Sequence, residues 1–232
     1  MILLIYYHIT ISVVFMFAPQ LNQSFTQACY PIDNHAHILS EIYQTNAALA
    51  CYCSAANWAL SQAAKKFASQ QHGEVLRYQG AVNNDLASNI DSIFQTSTHG
   101  NLITNHVMLM LDMFVTLFEP KEIGLRIISC DHAHSPAFHQ NQMIVRMACA
   151  LGGTGEQWIT HQDAEFLPMQ ATDTRHRIKQ PDPAVINHFC DGDIAVYKGT
   201  NWIDHEVHAL ISASPEFKGN DARLCIYIDF LA

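Results

Sequence analysis

The stretch "CDHAHSPAFHQN", residues 130–141, puts three histidines and an aspartate into twelve positions. Imidazoles and carboxylates at that density are the raw material of a transition-metal site. One ligand set starts at His139. An H-x-D pair on a strand places imidazole and carboxylate on one face, where both can meet one iron. A second histidine from a later strand would complete two histidines and one carboxylate. Here the pair reads His139-Gln140-Asn141. The amide of Asn141 is a neutral, weak donor for Fe(II), and it leaves the metal charge without an offset. Asp131 is the other carboxylate candidate. The later histidine on this reading is His208, in "DHEVHALISASP" (204–215). His205 lies three residues before it, on the opposite face of a strand, so both serve only across a bulge.

A second set uses His132 and His134 with His139, an approximation to the HxHx4E pattern of cupins with histidine in place of glutamate. Strand parity puts His139 on the wrong face for that set unless Pro136 bends the chain. A third reading makes all these histidines half-buried polar residues at strand ends. It is preferred, because neither the carboxylate nor a well-placed distal histidine is present.

Two arginines bear on the same question. Arg223 opens "RLCIYIDF", about ten residues past the distal-histidine segment. A guanidinium there suits the far carboxylate of 2-oxoglutarate, which it can grip with two parallel hydrogen bonds. Arg146 falls on the strand face opposite His139. If no ligand is bound, Arg146 and Arg223 are expected to pair with Asp229 or Glu156. The remaining motifs are weak. "GGTGEQW" (152–158) links two strands and reads as a turn, since a phosphate cradle needs a helix N-terminus after it. No G-x-S-x-G, Walker or Ser-His-Asp pattern stands out. Cys130 lies near His132, but adjacency in sequence is not the geometry of a nucleophile and its base. Cys51 and Cys53 share a strand face, yet two thiols alone do not make a zinc site.

The elements that must position these residues divide the chain. "LACY" (49–52) predicts a short strand, followed by an Ala- and Gln-rich helix over 55–69. Residues 84–95 carry Leu86, Ile90, Ile93 and Phe94 at helical spacing behind a cap at Asn84 or Asp85. Residues 105–119 are apolar nearly all round and predict a buried helix. After that, short β-branched and aromatic runs predict strands at 124–131, 143–151, 156–160, 193–199, 207–214 and 222–230. Residues 161–191 hold Pro168, Pro181 and Pro183 and read as a long insertion. The expected fold is α+β: a double-stranded β-helix, jelly-roll or cupin-like, in the C-terminal half, with the N-terminal helices packed outside it.

Composition bounds the partners. The 232 residues carry a net charge of −9, which argues against nucleic acid. The basic cluster Arg175, Arg177 and Lys179 reads as a solvated loop. Seven cysteines, an odd number without a C-x-x-C pair, predict free thiols in a reducing cytoplasm. Residues 1–28 read as an apolar N-terminal extension before a single domain at 29–232, with Met16 as a second possible start. A signal segment at 1–18, and hence export, is the alternative, although it lacks the usual positive n-region. Stable membrane insertion is not expected. A small-molecule ligand is the expected partner.

Six pieces in order, "EIYQTNAALACY", "SPAFHQNQMIVRM", "GTGEQW", "GDIAVYKG", "SASP" and "RLCIYIDF", resemble the bacterial domain-of-unknown-function family 1826 over about residues 37–230. The family pattern reads CPxFHxDxxxxRL, GxGTxW, GDxxxxKG, HRSP and RLxxxxDF. The resemblance implies a jelly roll of the iron and 2-oxoglutarate oxygenase kind. It matches His139 to the first metal ligand, Arg146 and Trp158 to pattern residues, Lys198 and Gly199 to the KG pair, and Arg223 to the terminal arginine. The departures are Ser135 for cysteine, Asn141 for the carboxylate, and Ser212-Ala213 for histidine-arginine. The chain is therefore read as a divergent member with an incomplete triad. His139, His208 and Asn141 are its candidate metal ligands, and Arg223, Arg146 and Lys198 its candidate cofactor contacts. Possible cofactors are Fe(II) or Zn and 2-oxoglutarate, or none. The expected function is a non-catalytic binding module. The alternatives are an active oxygenase using His139 and His208, and a cupin-like metal binder of zinc homeostasis, since some family members are encoded near zinc-homeostasis genes.

Overall fold

The structure is a computed structural model. It describes residues 27–53, 56–170, 176–203, 208–217 and 221–232. The N-terminal extension expected over 1–28, apart from its last two residues, lies outside these, as do His205 and Arg175.

The chain runs β1 (Ile32–Asp33), a 3-10 turn (Ala36–Tyr43), β2 (Leu49–Tyr52), α1 (Trp58–Gln70), β3 (Gly73–Gly80), α2 (Asn84–Phe94) and α3 (Gly100–Phe118). Then follow β4 (Glu122–Cys130), β5 (His139–Gln140), β6 (Val145–Leu151), β7 (Gln157–Ile159), β8 (Asn187–His188), β9 (Ile194–Lys198), β10 (Ile211–Ala213) and β11 (Arg223–Leu231). Seven strands form a major sheet in the order β1-β2-β9-β6-β11-β4-β3, and four form a minor sheet in the order β5-β10-β7-β8. Apart from the short parallel β1–β2 pair, the ladders are antiparallel. The fold is α+β with a jelly-roll core.

Side-chain parity builds the layers. On β11, Leu224, Ile226 and Ile228 turn outward and pack with Val145, Met147, Cys149 and Leu151 of β6 beneath the helices. The alternate residues turn inward. There Ala148, Ala195 and Tyr197 of the major sheet meet Trp158 and Leu210 of the minor sheet. The outer face of the minor sheet, with Phe138, Ile159 and Ile211, is covered by Ile178, Val185 and Ile186 from the long insertion.

Asn57 caps α1 and Asn83 caps α2, each side chain accepting from the backbone N–H three residues on, at 2.9 Å. The α2 cap thus falls one residue before the expected positions. Helix α3 begins five residues earlier than its apolar run. It is apolar enough to cross a membrane, but one stripe, Ile103, Val107, Met110, Leu111 and Phe114, is buried in the core, whereas Leu109 is exposed. The expectation of burial all round is corrected to a half-buried amphipathic helix. Strand β3 was not foreseen. "GEVLRYQG" is polar, half exposed and at the sheet edge.

Candidate functional site

The predicted continuous strand through 139–147 breaks. β5 ends at Gln140 in the minor sheet, residues 142–144 bend, and β6 starts at Val145 in the major sheet. This crossing reverses the parity argument. His139 and Arg146, expected on opposite faces, line one cleft of about 460 Å³. Gly199 lets the crossing pack closely. A Cβ there would meet the Met143 carbonyl at 2.0 Å and the Asn141 carbonyl at 2.7 Å. The KG pair therefore serves the backbone at this point. Lys198 itself points away from the cleft, with the parity of Ile194 and Val196. Its ammonium donates to the Gln44 carbonyl at 2.8 Å and lies 5.0 Å from the Trp202 ring centre. Its assignment to the cofactor is corrected to a buried support for the turn before β2.

His134, His139 and Asn141 face the cleft from one side, and Arg126, Arg146 and Tyr227 from the other. The His139 Nδ1 lies 2.9 Å from the Ala137 carbonyl. A carbonyl can only accept, so Nδ1 is the donor in this bond. Directly across the ladder from His139 stands Ser212, which also pairs with Trp158 on its other side. Ser212 is 1 % exposed, and its hydroxyl has no hydrogen-bond partner among the described residues.

This register decides the fate of the other predicted ligand. His208 lies four residues before Ser212 in the chain, outside β10. It meets His161, ring centres 6.2 Å apart, and His161 in turn bonds the Tyr30 hydroxyl at 2.8 Å. Burial pushes His161 down to about 4. His139 and His208 are therefore not brought together as ligands. The cupin-type set is not assembled either. His132 is drawn to Asp131 at 2.6 Å on an exposed turn, and His72 reaches the same carboxylate at 3.2 Å. Among the described residues, no three histidine, cysteine or acidic side chains converge at His132, His134 and His139.

The residues expected at a metal position are thus an imidazole, an amide and, opposite, a hydroxyl. These are neutral donors, and Fe(II) asks for a carboxylate among them. The site does not fit a ferrous triad.

The guanidinium groups differ in how they are engaged. Arg146 grips Asp229 with two hydrogen bonds, Nε to Oδ1 at 2.6 Å and Nη2 to Oδ2 at 2.8 Å. Burial opposes its charge, but Tyr197, Asp229 and Glu156 more than offset that and hold it well above the ordinary value. Arg77 is taken by Glu74 at 2.6 Å. Arg223 donates to the Thr154 carbonyl, stacks 4.2 Å from the Phe217 ring centre, and lines a smaller adjoining cavity with His134, Glu156 and Ser214. Arg126 forms no ion pair among the described residues, and its buried Nε, like that of Arg223, has no acceptor; Glu74, whose carboxyl feels its charge, is paired with Arg77. It lies 5.6 Å from the Tyr227 ring centre. Sequence reasoning missed it, although a lone charge inside the apolar strand "GLRIISC" was a visible sign.

The fold is similar to that of solved oxygenase structures. A structure of AtDAO1, dioxygenase for auxin oxidation 1 from Arabidopsis thaliana, in complex with 2-oxoglutarate, aligns with a TM-score of 0.51 at 9% identity, covering 88% of this chain and 93% of that one. The rice dioxygenase for auxin oxidation aligns at 0.48 with 11% identity, over 88% and 83%. A Pseudomonas putida prolyl-4-hydroxylase aligns at 0.41 with 8% identity, over 89% and 98%. At such identities the likeness is one of fold. The chain belongs to the family described as Protein of unknown function (DUF1826), whose model matches residues 33–229. No curated protein matches it.

Proposed function

We propose that this protein binds a small carboxylate ligand of the 2-oxoglutarate type in the His139–Arg126 cleft without carrying out iron-dependent oxygenation. One observation carries this reading. The cleft presents Arg126 without a counter-ion, beside a metal position that has lost its carboxylate. Arg126 supplies the charge, and a guanidinium can hold a carboxylate through two hydrogen bonds. The Nε2 of His139, the Asn141 amide and the Ser214 side chain line the part of the cleft that would take the polar end of the ligand. Tyr227 walls the cleft from the major sheet, and Glu156, held by the Tyr197 hydroxyl at 2.8 Å, limits how much negative charge the cleft accepts.

The test is calorimetric titration of 2-oxoglutarate and succinate into the metal-free protein, with a neutral diester as the control. Binding of the acids but not the diester is expected. Arg126→Met should weaken it roughly tenfold to a hundredfold, the worth of a charge-assisted hydrogen bond. Binding that appears only after Fe(II) is added, with turnover of 2-oxoglutarate, would establish the oxygenase reading instead.

A further inference from the structure

At the end of the roll where β2 and β9 meet, the β2–β9 ladder pairs Cys51 with Ala195 and Tyr52 with Ile194. One step further brings Cys53 opposite Asp193. Cys51 and Cys53 share a face, as i and i+2 on a strand do. The two sulfurs and an Asp193 carboxylate oxygen all lie within 4.8 Å of one another. Cys190 stands beside this trio on the same turn as Asp193, its backbone N–H donating to Asp193 Oδ2 at 2.7 Å.

The turn that carries Cys190 and Asp193 is held from several sides. Gly192 takes a φ of +88°, and a Cβ there would strike the Ala56 nitrogen at 2.1 Å. Its N–H donates to the Ala150 carbonyl at 2.9 Å. Asp191 is committed elsewhere, accepting from the Gly152 N–H at 2.9 Å and the Ser61 hydroxyl. The turn is therefore fixed against the strand end.

Asp193 is 7 % exposed, and among the described residues no cation pairs with it. A buried carboxylate without a cation is costly. A cation between the two sulfurs and the carboxylate would supply the missing partner. Cys51 is buried, whereas Cys53 and Cys190 reach the surface, which leaves a path for a metal to enter.

We propose that Cys51, Cys53 and Asp193 hold a zinc ion, and that the thiol of Cys190, on the same turn as Asp193, closes in as its fourth ligand. Three thiolates and one carboxylate suit a four-coordinate, borderline-soft ion, and a closed shell without an open position marks a structural site. Each thiol that enters the shell gives up its proton to solvent, so binding one zinc releases up to three. The metal ties the edge pair β1–β2 to β9 and the core of the major sheet. This proposal does not depend on what the cleft binds.

The test uses the full chain, untagged, reduced, stripped of metal and refilled. Titration with Co(II) should give a thiolate-to-cobalt charge-transfer band and the intense d–d bands of tetrahedral cobalt. These should saturate at one per chain and bleach as Zn(II) displaces cobalt. Cys53→Ser and Cys190→Ser, both at surface cysteines, should each lower zinc affinity by more than the roughly 10–100-fold that loss of an outer-shell partner costs. Cys29→Ser, away from the cluster, should leave it unchanged. Absence of the charge-transfer band in a protein whose circular dichroism is native would overturn the proposal. So would full retention of the band in both the Cys53 and Cys190 variants, or a Cys51–Cys53 disulfide found by mass analysis of the freshly purified reduced-lysate protein.

Discussion

Asp229→Asn isolates what Arg146 does. The two side chains are only 13% and 22% exposed and meet through two hydrogen bonds at 2.6 and 2.8 Å. The Tyr227 ring covers the guanidinium at 5.1 Å. Removing the carboxylate charge while keeping its shape leaves Arg146 desolvated and without its counter-ion. Breaking such a pair by changing one partner costs about 3–5 kcal/mol. Unfolding entropy of about 2.1 cal/mol/K per residue gives roughly 0.5 kcal/mol/K for 232 residues. The expected loss is then a fall in Tm of roughly 6–10 °C. The double variant Arg146→Met, Asp229→Leu removes both charges and should recover most of that loss, since a well-packed apolar pair often matches a buried ion pair. Differential scanning calorimetry of the wild type and the variants reads both effects. A fall below about 1 °C for Asp229→Asn, or a double variant as unstable as the single one, would refute the reasoning. Ligand affinity adds a check. Arg146 is committed to Asp229, so folded Asp229→Asn should bind 2-oxoglutarate no more weakly than the wild type.

Further outcomes follow from single contacts. His106 is 8 % exposed in α3, with its Nε2 3.5 Å from the Cys149 sulfur, and burial lowers it to about 4. The unfolded chain takes up this proton first as pH falls. The stability due to neutral His106 is therefore present above about pH 6.5 and lost down to about pH 4, at most about 3 kcal/mol. Urea unfolding should show that slope in the wild type and not in His106→Met. Lys198, 1 % exposed, is lowered by burial to about 8. The unfolded chain keeps the proton longer, so stability should rise between about pH 8 and 10.5 in the wild type relative to Lys198→Met. Gly199→Ala would drive a methyl into two backbone carbonyls and should cost several kcal/mol, read as a large loss of soluble, cooperatively melting protein.

Periodicity made the layers legible. The outward set of β11, the strand "LACY" and the two helices at 58–70 and 84–94 follow from local pattern, because one buried face leaves a 2.0 or 3.6 repeat. Strand β3 escaped because an edge strand with polar residues on both faces has no such repeat. The site was legible in its residues and not in its geometry. His139, Asn141, Arg146 and Ser212 stood out by residue type and pattern, but the break at 142–144 is a tertiary event. It moved Arg146 into the cleft with His139. His208 lies four residues before Ser212, the residue that the ladder sets opposite His139. Cys51 and Cys53 were visible as a pair. Their partners came from residues 190–193, which only the β2–β9 pairing brings alongside.

The central claim is that the cleft takes an anionic ligand without iron. Parallel titrations of 2-oxoglutarate into wild type and His139→Ala, each with no metal and with Mn(II) as an inert ferrous surrogate, address it most directly. The account predicts saturable binding without metal, an affinity unchanged within about twofold by Mn(II), and at most a modest loss in His139→Ala, about 1 kcal/mol for one neutral hydrogen bond. Binding that requires Mn(II) and vanishes in His139→Ala would contradict it, and would place a working metal at His139.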